Sequence, residues 1–255
     1  MAKVLRRSRR NVEICVVIDM ESLMRAQLEP VRVRKRPGMG LRLLSWVWPV
    51  SVCSVGGEAG TRLKVVAWRG KYLLDTAKVN YSFGSLHAVM RGSIAAMVGR
   101  GVKVDRVLLL GYGGGSGAEI IHQDHNRDAE IVGVEKDAAV LDLAKRYFYT
   151  QGVRLLQEDA IDYVHKAAKN AWHYDLVICD LFVDGDLAPG VVSERFVQDL
   201  AQLISVGGGV IVNTMLEAPK AKAFEAMLGA QFSEVIPWDG VKGNAVFLCK
   251  MGGNA

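Results

Sequence analysis

An α/β fold, with a mostly parallel sheet covered by helices on both faces, is predicted by three observations. Beyond Asp105 short apolar runs alternate with helical stretches. The runs are nearly continuous in Val, Leu and Ile, as strands buried on both faces are, rather than alternating with polar residues. The segments that follow them begin with glycines or acids, which places turns at one repeated edge. With 255 residues, half of them hydrophobic, the chain can bury one substantial core and a small unit beside it.

In chain order, residues 1–40 are basic and end in Arg36-Pro37-Gly38-Met39-Gly40, a loop signal. A weakly ordered leader is expected there. Residues 41–83 are expected to form a small antiparallel β unit from Leu43–Val52, Arg62–Trp68 and Lys71–Leu74, separated by Gly56-Gly57 and Gly70. Residues 84–255 form the main domain. It opens with Leu86, Val89, Met90, Ile94, Met97 and Val98 at helical spacing. Strands are then expected at Arg106–Leu110, Ile131–Val134, Val153–Leu156, Leu176–Cys179 and Val210–Val212, and helices near 117–123, 137–149, 159–169, 193–204 and 217–229. Right-handed crossovers make such an alternation a parallel sheet. Glu234–Pro237 and Ala245–Lys250 read as two final strands.

The net charge of +5 is concentrated in the leader: residues 1–42 hold eleven Lys/Arg against four acids, so the remainder is slightly acidic. No base-reading motif accompanies the basic run, and nucleic acid is not expected as a partner. Leu43 to Cys53, the longest apolar run, is broken by Ser45, Pro49 and Ser51 and is shorter than the roughly 18–20 residues a membrane span needs. No secretory signal is evident, so a cytoplasmic protein without a membrane partner is expected. Cys15, Cys53, Cys179 and Cys249 have no Cys-x-x-Cys spacing and read as small hydrophobes. His122, Asp124, His125 and Asp128 read as a solvated loop, and no metal is assigned. Trp46, Trp48 and Trp68 read as packing residues of the β unit.

The chemistry gathers at the strand ends. In Val107-Leu-Leu-Leu-Gly111-Tyr-Gly113-Gly114-Gly115-Ser116-Gly117 a buried strand runs into a glycine-rich turn and then a helix, where a nucleotide can approach backbone that carries no Cβ. Glu135, at the end of the next strand, can accept hydrogen bonds from both ribose hydroxyls. Asp137 suits the N-cap of the following helix. Asp159 and Asp180 fall at two further strand ends on the same edge, and Asp159 can also serve as an N-cap.

These motifs resemble the class I S-adenosylmethionine-dependent methyltransferase fold and, within it, the spermidine-synthase-like branch. The resemblance spans roughly residues 41–250 and includes Asn80-Tyr-Ser-Phe-Gly-Ser-Leu-His87 and Asp180-Leu-Phe-Val-Asp184. It implies a Rossmann-like domain and a transferase. Gly111, Gly113 and Gly115 would hold the methionine portion of a co-substrate, either S-adenosylmethionine or its decarboxylated form. Glu135 would hold the ribose, Asp159 and Ala160 would meet adenine, and Asp180 and Asp184 would be catalytic residues facing a small-molecule acceptor such as an amine. Dimerisation is common in the resembled family, so a homodimer is an expectation. The acceptor side departs from the pattern: Phe83-Gly84-Ser85 stands where spermidine synthases use Tyr-Gln-Glu, and Gly114 replaces an acid of the glycine loop. Those departures favour methyl transfer over the alternative, aminopropyl transfer of polyamine biosynthesis. A non-catalytic nucleotide-binding homologue and a nicotinamide-dependent oxidoreductase are the remaining readings.

Overall fold

Strand β4 (Arg106–Leu110) is buried from Val107 onward and has two inner faces. Leu108 and Leu110 enter one hydrophobic cluster, and Val107 and Leu109 enter the other. The same alternation holds in β7 (Tyr174–Cys179), where Val177 and Cys179 oppose Leu176 and Ile178. A strand with apolar side chains on both faces must lie inside a sheet covered on both sides.

The computed structural model describes residues 36–75, 85–183, 185–238 and 245–253, all within the compact unit Val31–Ala255. Its main sheet adds β5 (Glu130–Glu135), β6 (Val153–Gln157), β10 (Ile204–Thr214), β11 (Glu234–Trp238) and β12 (Ala245–Lys250) in the order β11-β12-β10-β7-β4-β5-β6, while β8 (Phe182–Val183) and β9 (Asp186–Leu187) pair with each other. The five strands from β10 to β6 are parallel, while β12 runs antiparallel to both β10 and β11. From β4 the chain moves outward to β5 and β6, then returns to place β7 on the other side of β4. The order therefore reverses between β4 and β7, where open α/β sheets have their ligand crevice.

One face is covered by α2 (Ser85–Gly99) and α3 (Ser116–Ile120), with Ile94, Met97 and Ile120 in its cluster. The opposite cluster draws on α5 (Ala160–Lys169), α6 (Glu194–Gln202) and α7 (Ala218–Gly229) through Val164, Leu200 and Phe224. A separate antiparallel sheet of β1 (Val50–Gly56), β2 (Arg62–Trp68) and β3 (Lys71–Asp75) packs Leu63, Val65 and Leu74 on Val140 and Leu143 of α4 (Ala138–Tyr147). The fold class is the one expected: a mostly parallel sheet preceded by a small antiparallel one.

The expected strand over Leu43–Val52 is not observed. Its first half is helix α1 (Met39–Val47), and β1 begins only after Pro49. Ser45 is the buried side chain of α1: its hydroxyl donates to the Arg42 carbonyl and accepts from the Gly70 N–H. Trp46 and Trp48 are 61% and 72% exposed, so neither packs as a strand residue would. Among the described residues no helix is long and apolar enough to cross a membrane. Cys179 and Cys249 are buried as small hydrophobes are, while Cys53 is half-buried and Cys15 lies outside the described residues.

Candidate functional site

Because β10, β7, β4, β5 and β6 are parallel neighbours, their carboxyl ends form one row. Along that row stand Asn213, Asp180, Gly111, Glu135 and Asp159. The sheet thus brings together residues more than one hundred positions apart.

Gly111 and Asp180 abut at the reversal of strand order. The Asp180 N–H donates to the Leu110 carbonyl at 2.9 Å, while Gly111 turns with φ +81°. A Cβ on Gly111 would stand 2.3 Å from the Asp180 carbonyl oxygen, so no other residue fits without moving the strand. Gly115 caps α3 in the left-handed conformation, and a Cβ there would meet the Tyr149 carbonyl at 2.5 Å. The turn is braced from below by Tyr112, whose buried hydroxyl donates to that Tyr149 carbonyl. After Ile120 the helix loosens into a single π-type turn, Ile121–His125.

Glu135 is tied into the turn. One carboxylate oxygen accepts the Gly113 N–H at 3.1 Å and the other accepts the Asp137 N–H at 3.2 Å. Burial raises its pKa, and the N–H groups of Gly113, Asp137 and Lys136 oppose that rise without cancelling it. Each carboxylate oxygen has a second lone-pair site, so ribose hydroxyls can be accepted without breaking these bonds.

Asp159 caps α5 through the Ile161 N–H (2.9 Å) and pairs with the Lys136 ammonium (3.0 Å). Partial burial raises its carboxyl, but Lys136 and Ile161 outweigh that effect and hold it below the usual range. Ala160 is the buried first residue of α5. Asp137 caps α4 through the Ala139 N–H (2.7 Å) and also accepts the Glu58 N–H (2.8 Å), which fastens the β1–β2 turn beside the Glu135 strand end.

Although Asp180 retains some exposed surface, protein packs closely round its carboxyl group. Burial pushes it up to about 6, and a hydrogen bond from the Asn213 side chain (2.8 Å) opposes the rise. Sequence reasoning missed Asn213. The available signal was a polar Asn213-Thr214 pair closing the apolar run Val210–Val212 at the edge where the acids lie. Asp184 and residues 76–84, including Phe83-Gly84, lie outside the described residues.

His122 corrects a second expectation. It is a buried residue with one ring nitrogen 3.0 Å from the Tyr149 hydroxyl and the other 3.0 Å from the Ala129 carbonyl, rather than part of a solvated loop. That carbonyl can only accept, so the nitrogen facing it carries a proton. Asp124 pairs with Arg91 at 3.3 Å.

No protein-family model matches the chain. Over 157 residues it is 29% identical to the polyamine aminopropyltransferase of Vibrio vulnificus, an alignment covering 57% of this chain and 50% of that protein. The chain spans about half the length of the curated relatives it matches, or less. Among solved structures, a probable spermidine synthase from Corynebacterium glutamicum superimposes with a TM-score of 0.64 at 17% identity, covering 78% of this chain and 80% of that one. Human methyltransferase-like protein 13, solved in complex with SAH, gives 0.57 at 22% identity over 66% of this chain and 83% of its own. The chain is thus similar in sequence to a polyamine aminopropyltransferase, and it shares the fold of a probable spermidine synthase and of a methyltransferase-like protein.

Proposed function

We propose that the chain is a transferase that moves an aminopropyl group from a decarboxylated S-adenosylmethionine-type nucleoside to the nitrogen of an amine. The observation that carries this reading is the acidity of the strand-end row. Glu135, Asp159 and Asp180 line it, and the Lys136 ammonium beside Asp159 is already paired with that carboxylate. A donor that keeps its amino acid carboxylate would bring another negative charge toward Asp180, whereas the decarboxylated donor and an amine acceptor bring positive charge. The names of the curated relatives point the same way, so the methyl transfer favoured by the sequence departures becomes the second reading.

The residues fit such a nucleoside: a tight turn at the strand end that only glycine can make at Gly111 and Gly115, and a Glu135 carboxylate with free lone pairs. When bound, the nucleoside supplies a carbon activated by its cationic sulfur leaving group. Gly111, Gly113 and Gly115 form the turn against which its amino acid portion would lie, Glu135 holds the ribose, and Asp159 with Ala160 borders the base. Asp180 orients the amine and receives its proton as the new N–C bond forms and the C–S electron pair leaves with sulfur. Asp184, proposed from the resemblance alone, would be a second acid for the amine. The demand on the protein is mainly in-line positioning. Asp180 must be ionised to accept the proton, so the rate is expected to fall as pH drops through about 6. A pH profile of kcat/KM lacking that limb contradicts the assignment.

Thermal stabilisation tests the ligand class. A nucleoside at a hundredfold excess over its Kd adds about 2.7 kcal/mol to the folded state. The decarboxylated donor is expected to raise Tm more than S-adenosylmethionine does, and Glu135→Ala to weaken binding of both by about 10- to 100-fold. A larger shift with S-adenosylmethionine would favour methyl transfer, and no shift with either would remove the nucleoside from the account.

A further inference from the structure

Asn213 is 3% exposed and its two polar ends are in opposite states. The amide nitrogen donates to Asp180 Oδ1 at 2.8 Å, which fixes the orientation of the side chain, since only the NH2 end can donate to a carboxylate. The amide oxygen is buried and has no partner among the described residues. A buried acceptor left unpaired costs roughly 1–3 kcal/mol, so its persistence in a strand-end row of polar groups points to a ligand that supplies the donor. Because both amide atoms sit on one carbon, this orphaned oxygen lies one short step from the Asp180 carboxylate, whose Oδ2 is likewise without a partner among the described residues.

We infer that Asn213 is an acceptor-holding residue: its amide oxygen and Asp180 Oδ2 form a pair of hydrogen-bond acceptors for the two N–H groups of a neutral primary amine. This deepens the reading of the chain as an amine-directed transferase and rests on it. A neutral primary amine has two N–H bonds and one lone pair. Two acceptors that take both protons leave the lone pair as the one direction open for attack on the activated carbon, and one of those protons then passes to Asp180. A hydroxyl has one proton to offer and an N-methylated amine has one N–H, so either leaves an acceptor of the pair unsatisfied. The pair therefore selects the degree of substitution at the reacting nitrogen, while the Asn213 donor keeps Asp180 turned toward it.

The test uses the full-length protein with the decarboxylated donor and two acceptors, a primary diamine and the same diamine methylated on both nitrogens. The wild-type kcat/KM is expected to favour the primary amine by about 10- to 100-fold. Asn213→Leu, close in size and without either polar end, is expected to reduce that preference to within about threefold. It should also shift the acid limb of the pH profile upward, because the bond that opposes burial of Asp180 is lost. A bulk-based rejection of the methyl groups would survive in Asn213→Leu and, like an unmoved pH limb, would overturn the inference while leaving amine transfer standing. If Asn213→Leu does not fold, the wild-type comparison decides: equal use of the two amines overturns the inference. A wild-type enzyme that transfers to neither amine, although the donor raises its Tm, removes the amine-transfer reading and this inference together.

Discussion

Replacing Asp180 with Asn is expected to lower kcat by about 10²- to 10⁴-fold, the usual contribution of a positioned acid or base. The same substitution is expected to make the protein more stable at neutral pH. The folded-state pKa of Asp180 is raised to about 6, so the folded chain binds its proton more tightly than the unfolded chain does. The ionised form therefore costs stability that is fully lost to the protein above about pH 6, and that cost disappears as pH falls below the unfolded value of about 4. Asp180→Asn should gain Tm at pH 8 by roughly 2–4 °C for each kcal/mol recovered and gain nothing near pH 4. Lower activity with higher stability is the signature of a group kept for function rather than folding. Equal Tm at pH 8 with full activity would show that this carboxylate is neither strained nor used.

The second large effect is expected at Gly111. Gly111→Ala combines a left-handed backbone, which costs a residue with a Cβ about 1–2 kcal/mol, with a contact of 2.3 Å to a backbone carbonyl that cannot swing aside. A total loss of roughly 2–4 kcal/mol is expected, together with loss of nucleoside binding, since β4 and β7 must separate where the ligand is assigned. Gly101→Ala supplies the control. It has the same φ of +81° but nothing within 4 Å of the added methyl, so it should lose only about 1 kcal/mol and keep ligand binding. Denaturant unfolding of the two variants separates backbone strain from collision, and equal losses would contradict the crowded strand end.

The seven strands of the main sheet were legible because each contains a short apolar run and the acids at the ends of three of them share one edge with the glycine turn. Fold geometry then converts sequence spacing into proximity: Gly111, Glu135, Asp159 and Asp180 become neighbours without any local motif joining all four. Met39–Val47 was less legible, since a run of Leu, Trp and Val bounded by glycine and proline fits a strand or a helix by composition alone. Its apolar side chains also face outward, removing the burial periodicity that separates the two. His122 reads as solvated because it falls at a polar helix end and loop before a strand. A π-type turn rotates the ring inward, and local sequence does not announce such a turn. Asn213 carries only a weak signal for a different reason: a polar pair closing an apolar strand means little until Asp180, at the end of the neighbouring strand, is known to stand against it.

The central claim is transfer of an aminopropyl group to an amine, and product analysis by mass spectrometry tests it most directly. The purified protein would be incubated with a primary diamine and either decarboxylated S-adenosylmethionine or S-adenosylmethionine itself. The account predicts, with the decarboxylated donor, equal amounts of methylthioadenosine and a diamine extended by one aminopropyl group, with Asp180→Asn slowing both together. Methylated diamine and S-adenosylhomocysteine from the second donor, with no aminopropyl product from the first, would contradict it.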